Sequence, residues 1–201
     1  FIIIAIFKLL KRKITINNKV FKFIFNDHPL LMVFILLFLI GLPIVITFYP
    51  GPVQWDGMWQ LNYYSGVLPW SNHHPIFSTF ILGTVQKIGS IIANDNFGIF
   101  LFTFTQYTLS CFIFANIIDF QNKLGTSDII KLLTFLFFAL SPSWYLYAYT
   151  FMKDTSYYLI FIIFFINYIK FFYNESDKKS IITLLISSLF LILIRNNGIY
   201  V

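Results

Sequence analysis

Residues 29–48 read PLLMVFILLFLIGLPIVITF, twenty consecutive residues without a single charge. A bilayer core is about 30 Å thick, which about 20 apolar helical residues cross. This stretch therefore predicts a transmembrane helix. The whole chain agrees with it: 58% of its 201 residues are hydrophobic, 27 are Phe and only 11% are charged. A soluble domain of this size cannot bury so much apolar surface.

Further apolar runs follow along the chain. They predict spans near 98–118, 129–147, 155–172 and 180–194, and a less apolar segment at 75–93 that is re-entrant, interfacial or spanning. Open strand edges cannot be satisfied in lipid, so the predicted fold class is all-α, a polytopic transmembrane helix bundle. Residues 1–201 are expected to form a single integral membrane domain, a fragment of a longer chain. Cys111 lies inside an apolar run, so neither a disulfide nor a metal motif is predicted.

The basic residues are distributed unevenly. The net charge is +6, and six of the fourteen Lys and Arg residues fall between Lys8 and Lys22. A basic cluster beside a span is typical of the cytoplasmic side, where it can also touch anionic headgroups. The prediction is a multi-pass protein of the cell membrane with this segment cytoplasmic. Membrane lipid is an expected partner, and nucleic acid is not.

Segment 75–93 decides the topology. If every run crosses the membrane, nine basic residues lie inside and five outside. If 75–93 does not cross, eleven lie inside and two outside, with Lys87 in the segment itself. The positive-inside rule favours the second topology, which also brings all four Trp residues to the outer face. The alternative is a kinked but complete span with an unusual charge balance.

The loop at residues 49–75, YPGPVQWDGMWQLNYYSGVLPWSNHHP, is predicted to lie outside and to hold an interfacial helix over Val53–Ser65. In that helix Asp56 and Gln60 share one side, and Trp55 and Trp59 form a neighbouring stripe at headgroup level. Asp56 is a candidate catalytic base for a membrane-bound substrate. The alternative is a solvated carboxylate on an amphipathic helix.

Other polar residues gather on the same face in the favoured topology. Asp154 is a second candidate acid, or forms a surface ion pair with its neighbour Lys153. Arg195 is an interfacial anchor or a phosphate ligand, for which its planar guanidinium is suited. His73 and His74 are turn residues, or help to bind a phosphate or a metal.

The order of several short motifs resembles the N-terminal half of the GT-C membrane glycosyltransferases, the group that contains the protein mannosyltransferases and the lipid A aminoarabinose transferase. After the first span and its outer acid come HHP (73–75), FG (97–98), LG (124–125), SP (141–142), KD (153–154) and RNNG (195–198). The resemblance covers roughly residues 30–200.

The resemblance implies the chemistry at this face. Asp56 would be the first-loop acid, which acts as base or positions the acceptor or a metal, and Asp154 the second catalytic acid. His74 and Arg195 would lie near the carrier phosphate. Position on the same face, and not the resemblance, makes further candidate substrate contacts of His73, Lys153, Gln60, Trp55 and Trp59. The substrate would be a sugar on a polyprenyl phosphate, and the acceptor an unidentified glycan, lipid or protein. The resemblance identifies no particular cofactor, and a divalent metal is possible.

Two other classes remain open. A multi-span lipid or polysaccharide transporter would place ionisable residues inside its spans. Here the spans hold little beyond Lys131 and Lys170, which lie near the predicted inner ends, where each can snorkel to the headgroups. A non-catalytic membrane assembly protein is the other alternative, and it would tolerate substitution of Asp56.

Overall fold

The computed structural model describes residues 14–71, 73–173 and 177–201. Over these residues the protein is helical, and no strand occurs beyond an isolated bridge between Val53 and Phe151. The prediction of an all-helical fold is confirmed. The helices are α1 (Lys19–Lys22), α2 (Pro29–Thr47), α3 (Trp55–Tyr64), α4 (Ile76–Ile92), α5 (Asp95–Lys123), α6 (Asp128–Leu140), α7 (Pro142–Ala148), α8 (Lys153–Phe172) and α9 (Lys178–Ile194), with a π-turn at Phe23–Asp27 and a 3-10 turn at Asn196–Tyr200.

Three of these helices are long and apolar enough to cross a membrane: α2, α5 and α8. A fourth span results if α6 and α7, which meet at an angle of 64°, are taken together. Helices α4 and α9 have 17 residues each. At 1.5 Å per residue they are about 26 Å long, slightly less than the hydrocarbon core. These features are those of a membrane protein.

The segment predicted as a span near 129–147 contains two helices, α6 and α7, which meet at a bend. Leu140 ends α6, Ser141 is extended, and Pro142 begins α7. Proline has no amide hydrogen to continue the helical hydrogen bonds, and its ring disfavours helical backbone at the residue before it. The remaining predicted spans coincide with helices to within a few residues.

The chain divides into two compact units. The first consists of Phe1–Leu42 and Cys111–Trp144, and the second of Pro43–Ser110 and Tyr145–Val201. Aromatic packing forms the core of the first unit. Phe114 and Phe138 stack with ring centroids 4.1 Å apart, and Trp144 lies edge-on to both.

The second unit has two buried clusters. Leu82, Phe102 and Phe151 join α4 and α5 to the segment before α8. Tyr157, Leu191 and Ile194 join the beginning of α8 to the end of α9, so these helices run antiparallel. The first cluster therefore contains Phe151, which precedes Lys153, and the second contains Tyr157, which follows it in α8.

Candidate functional site

The loop after α2 is fixed to the segment before α8 by backbone contacts. The Phe151 amide donates to the Pro52 carbonyl at 2.8 Å, and the Thr103 hydroxyl donates to the Pro50 carbonyl at 2.8 Å. Gly51 between them has a φ of 113°, a conformation that glycine adopts readily. These contacts hold the first residues of α3 against residues 151–153.

Helix α3 approaches that segment very closely at Gly57. A Cβ atom added to Gly57 would lie 2.3 Å from the backbone oxygen of Phe151. Only glycine permits this contact, and it sets the neighbouring Asp56 beside the beginning of α8. The observed helix lies within the predicted range Val53–Ser65.

Lys153 joins the first predicted acid to a histidine. Its Nζ donates to Asp56 Oδ2 at 2.9 Å and lies 2.9 Å from His74 Nδ1. The Lys153 side chain is only 8% exposed, whereas that of Asp56 is 46% exposed. An ammonium group only donates, so His74 Nδ1 accepts and the neutral ring carries its hydrogen on Nε2.

The charges in this cluster shift the pKa values of Asp56 and His74. The hydrogen bond from Lys153 lowers the pKa of Asp56, against the opposing effect of burial, so the carboxylate is ionised at neutral pH. Burial, followed by the Lys153 charge, lowers the pKa of His74. The cluster is therefore a carboxylate, an ammonium and a neutral imidazole.

An open cleft of about 460 Å³ adjoins the cluster. Its walls are the aromatic side chains of α3 and the two histidines. They are Trp55, Trp59, Tyr63, His73 and His74, with Asp56 among them. Trp55 and Trp59 remain 70% and 44% exposed, so both can contact a ligand or lipid. Tyr63 was not predicted as a site residue from the sequence, although it follows Trp59 at the same four-residue spacing that separates Trp55 from Trp59.

Gln60 lies away from this cleft. It is completely buried, and its Nε2 donates to the hydroxyls of Ser78 at 3.1 Å and Thr79 at 2.9 Å. These bonds attach α3 to α4. Substrate contact by Gln60 stays a prediction, whereas its fixing of the two helices is observed.

Asp154 and Arg195 form a second pair in the same unit. Arg195 Nη1 lies 3.7 Å from Asp154 Oδ1, and its guanidinium carbon lies 5.5 Å from the centre of the Tyr157 ring. Asp154 Oδ1 is buried and has no hydrogen-bond partner among the described residues. Lys153 pairs with Asp56 and not with Asp154, contrary to the sequence-based alternative of a local ion pair. The charges of Asp56 and Asp154 both oppose the lowering of the His74 pKa, so both acids lie close enough to influence this histidine.

The buried side chain of Gln106 holds the segment before Lys153 in place, although the sequence did not identify it as a site residue. Gln106 Nε2 donates to the carbonyls of Ala148 at 3.3 Å and Thr150 at 2.8 Å, and its Oε1 accepts from Ser156 at 3.0 Å. Across the described part of the chain, no three His, Cys, Asp or Glu side chains are grouped to hold a metal ion.

Residues 68–201 match DUF6020, a family of unknown function, and the chain belongs to that family. No curated protein and no solved structure matches the chain. The matched region contains His73, His74, Lys153, Asp154 and Arg195, whereas Asp56 precedes it. The family description assigns no role to any of these residues.

Acidification is expected to destabilise the protein through His74. The folded-state pKa of His74 lies below the value of about 6.5 in an unfolded chain. His74 therefore binds fewer protons in the folded protein than in the unfolded chain. Its contribution to stability is fully present above about pH 6.5 and is lost as the pH falls through the folded-state pKa of His74. The unfolding midpoint of the detergent-solubilised protein should fall by several degrees between about pH 8 and pH 5.5.

The variant His74→Gln tests this cause, because glutamine can still accept from Lys153 but does not titrate. Its midpoint should fall less on acidification, whereas the matched variant His73→Gln, which removes one of the smaller influences on His74, should fall nearly as much as the wild type. The charged and titratable groups that act on His74 are Lys153, Asp56, His73 and Asp154. Equal pH dependence in the two histidine variants would show that another group controls acid stability.

Proposed function

We propose that this protein is a polytopic membrane glycosyltransferase of the GT-C type, which transfers a sugar from a polyprenyl phosphate to an acceptor at the outer face of the membrane. The observation that carries the proposal is the cluster of Asp56, His74 and Lys153 beside an aromatic cleft. These residues come from three separate segments and meet where an apolar helix of span length begins. Such a position suits a substrate whose reactive group is held at the headgroup level.

The course of α4 supports a topology in which this helix does not cross. It begins after His74, beside Lys153, and near its other end Gly89 packs against Gly98 of α5. Gly98 is five residues, or about 8 Å, from Thr103, which bonds the Pro50 carbonyl. Both ends of α4 therefore lie close to the end of the second unit that contains Pro50 and Lys153.

The surface of α4 agrees with an interfacial position. Its protein-facing side carries Ser78, Thr79 and Gly83, which are buried. Its outward side carries the exposed side chains of Ile76, at 64%, and Ile91, at 74%. Leu82 is also buried, and the exposed side carries Lys87 beside these apolar residues, a mixture that fits a helix lying at the membrane interface.

The proposed reaction is a direct displacement. The acceptor hydroxyl attacks the anomeric carbon, a new C–O bond forms, and the bond to the carrier phosphate breaks with its electron pair on the phosphate. The hydroxyl proton passes to the Asp56 carboxylate and from there to water. Because its low pKa makes Asp56 a weak base, its main contribution is to orient the hydroxyl and stabilise its developing positive charge.

The hydrogen-bond donors of the site fit the leaving phosphate. His74 carries hydrogen on Nε2, which can donate to a phosphate oxygen at the cleft. Arg195 pairs with Asp154 and is not part of the cleft wall, and its guanidinium can donate two parallel hydrogen bonds to a phosphate. Lys153 keeps Asp56 ionised and positioned. Inversion at the anomeric carbon follows from displacement in one step.

Transfer can be tested with the full-length protein in liposomes that contain a panel of radiolabelled polyprenyl-phosphate sugars and cell-envelope acceptors. Wild type should move label from the carrier to an acceptor. Asp56→Asn should reduce the rate by about 100-fold or more. The control Asp119→Asn changes a carboxylate whose partner, Lys123, is 69% exposed, and it should leave the rate unchanged.

Equal rates in the two variants would remove Asp56 from the proposed mechanism. Movement of the intact labelled lipid across the bilayer, without cleavage of the phosphate bond, would instead indicate a transporter. Neither transfer nor movement with any sugar of the panel would favour the assembly protein.

A further inference from the structure

We propose that the first unit binds a phosphate group in a basic cavity formed by the N-terminal segment and the connection between α5 and α6. The phosphate could belong to an anionic lipid headgroup or to a soluble phosphate compound. This site shares no residue with the cluster at Asp56 and does not depend on the proposed transferase activity.

The cavity has a volume of about 730 Å³. Ligand-binding cavities commonly measure about 300–1,000 Å³. Its lining is mainly polar and comes from two stretches of the chain, 14–26 and 122–131. The polar side chains are Thr15, Asn17, Asn18, Lys19, Lys22, Asn26, Asn122, Thr126, Asp128 and Lys131.

Lys131 forms a buried and fixed part of this lining. Its side chain is 3% exposed, and its Nζ lies 2.8 Å from Asp128 Oδ1 and 3.1 Å from Asn122 Oδ1. It also donates to the side chain of Asn26. The sequence-based expectation that Lys131 snorkels to the headgroups is therefore wrong, because local acceptors hold its ammonium inside the protein.

Asp128 is the cavity's only carboxylate among the described residues, and both of its oxygens are engaged. Oδ1 pairs with Lys131, and Oδ2 accepts from the Ile16 amide at 2.8 Å. Ser127 bonds both the amide and the carbonyl of Ile14 at 3.1 Å. These contacts fix the N-terminal segment as one wall of the cavity.

The remaining charge of the lining is positive. Three lysines face one aspartate, which gives a formal charge of +2. Lys19 and Lys22 are exposed and form no ion pair with any residue that the structure describes. With the Asn17 amide they supply hydrogen-bond donors at the mouth of the cavity. Ammonium and amide donors without a free carboxylate fit a phosphate, which offers several acceptor oxygens and one or two negative charges.

Binding can be measured with the full-length protein in phosphatidylcholine nanodiscs. In one arm a fluorescent phosphatidylglycerol is added to the discs, and in the other inorganic phosphate is titrated in solution. The double variant Lys19→Gln/Lys22→Gln should weaken binding in at least one arm by about tenfold or more. The matched control Lys178→Gln/Lys179→Gln removes two exposed lysines outside the cavity and should bind as the wild type does.

A selective loss for phosphatidylglycerol alone would identify a lipid headgroup as the ligand, and a selective loss for inorganic phosphate would identify a soluble compound. Equal weakening in the two double variants would overturn the proposal, because the attraction would then be a property of surface charge in general. Absence of binding by the wild type in both arms would also overturn it.

Discussion

Replacing Gly57 by alanine is expected to lower the stability of the protein by about 3 kcal/mol and to separate Asp56 from Lys153. The new Cβ would lie 2.3 Å from the backbone oxygen of Phe151, which cannot rotate away as a flexible side chain could. Helix α3 must therefore move outward. Because Asp56 precedes Gly57, the carboxylate moves with it.

The measurement is the thermal unfolding midpoint in detergent, together with transfer activity. Met58→Ala is the matched control, since Met58 lies in the same helix and is 44% exposed. The control should change the midpoint by little. If Gly57→Ala unfolds at the same temperature as Met58→Ala, the close approach of α3 to residue 151 does not exist in the protein.

The charged cluster should show a specific order of stabilities. Asp56→Ala leaves the Lys153 ammonium buried without its counter-charge, and we expect this to lower the free energy of unfolding by about 2 kcal/mol. The loss is smaller than for a fully buried pair because the Asp56 side chain is 46% exposed. Lys153→Met removes the buried charge altogether and should cost less. The double variant should recover most of the loss caused by Asp56→Ala.

The same unfolding assay checks this order. Asp119→Ala is the control, because its partner Lys123 is 69% exposed and the pair should contribute less than about 1 kcal/mol. If Lys153→Met proves more damaging than Asp56→Ala, the lysine is needed for packing or hydrogen bonding to His74 beyond its charge. Strictly additive single variants would contradict direct contact between the two side chains.

Several elements of the fold could be predicted from sequence because their signals are local. The uncharged run 29–48 predicted α2, and the loop sequence after it predicted a helix over Val53–Ser65, which contains the observed helix Trp55–Tyr64. The bend at Pro142 also had a local signal, the missing amide of proline, but the continuous apolar run concealed it. Helix bounds depend on neighbouring residues, and those are visible in one sequence.

The pairing within the site could not be predicted in this way. Lys153 and Asp56 are 97 residues apart, and Lys153 lies next to a different acid in the sequence. The contact depends on the glycine approach at Gly57 and on the backbone bond between Phe151 and Pro52. Residue types identified the candidates, whereas their partners follow from tertiary packing. The burial of Lys131 was missed for the same reason.

The most direct test of the account is the side of the membrane on which the end of α4 lies. Single cysteines are placed at Val67, Ala93, Asn197 and Leu124 of the full-length protein in a Cys111→Ser background, and intact cells are treated with a membrane-impermeant thiol reagent. All four positions are exposed. We expect the first three to label in intact cells and Leu124→Cys to label only after permeabilisation. If instead Ala93→Cys and Asn197→Cys require permeabilisation while Val67→Cys and Leu124→Cys label in intact cells, α4 crosses the membrane and an outer site containing both acids is contradicted.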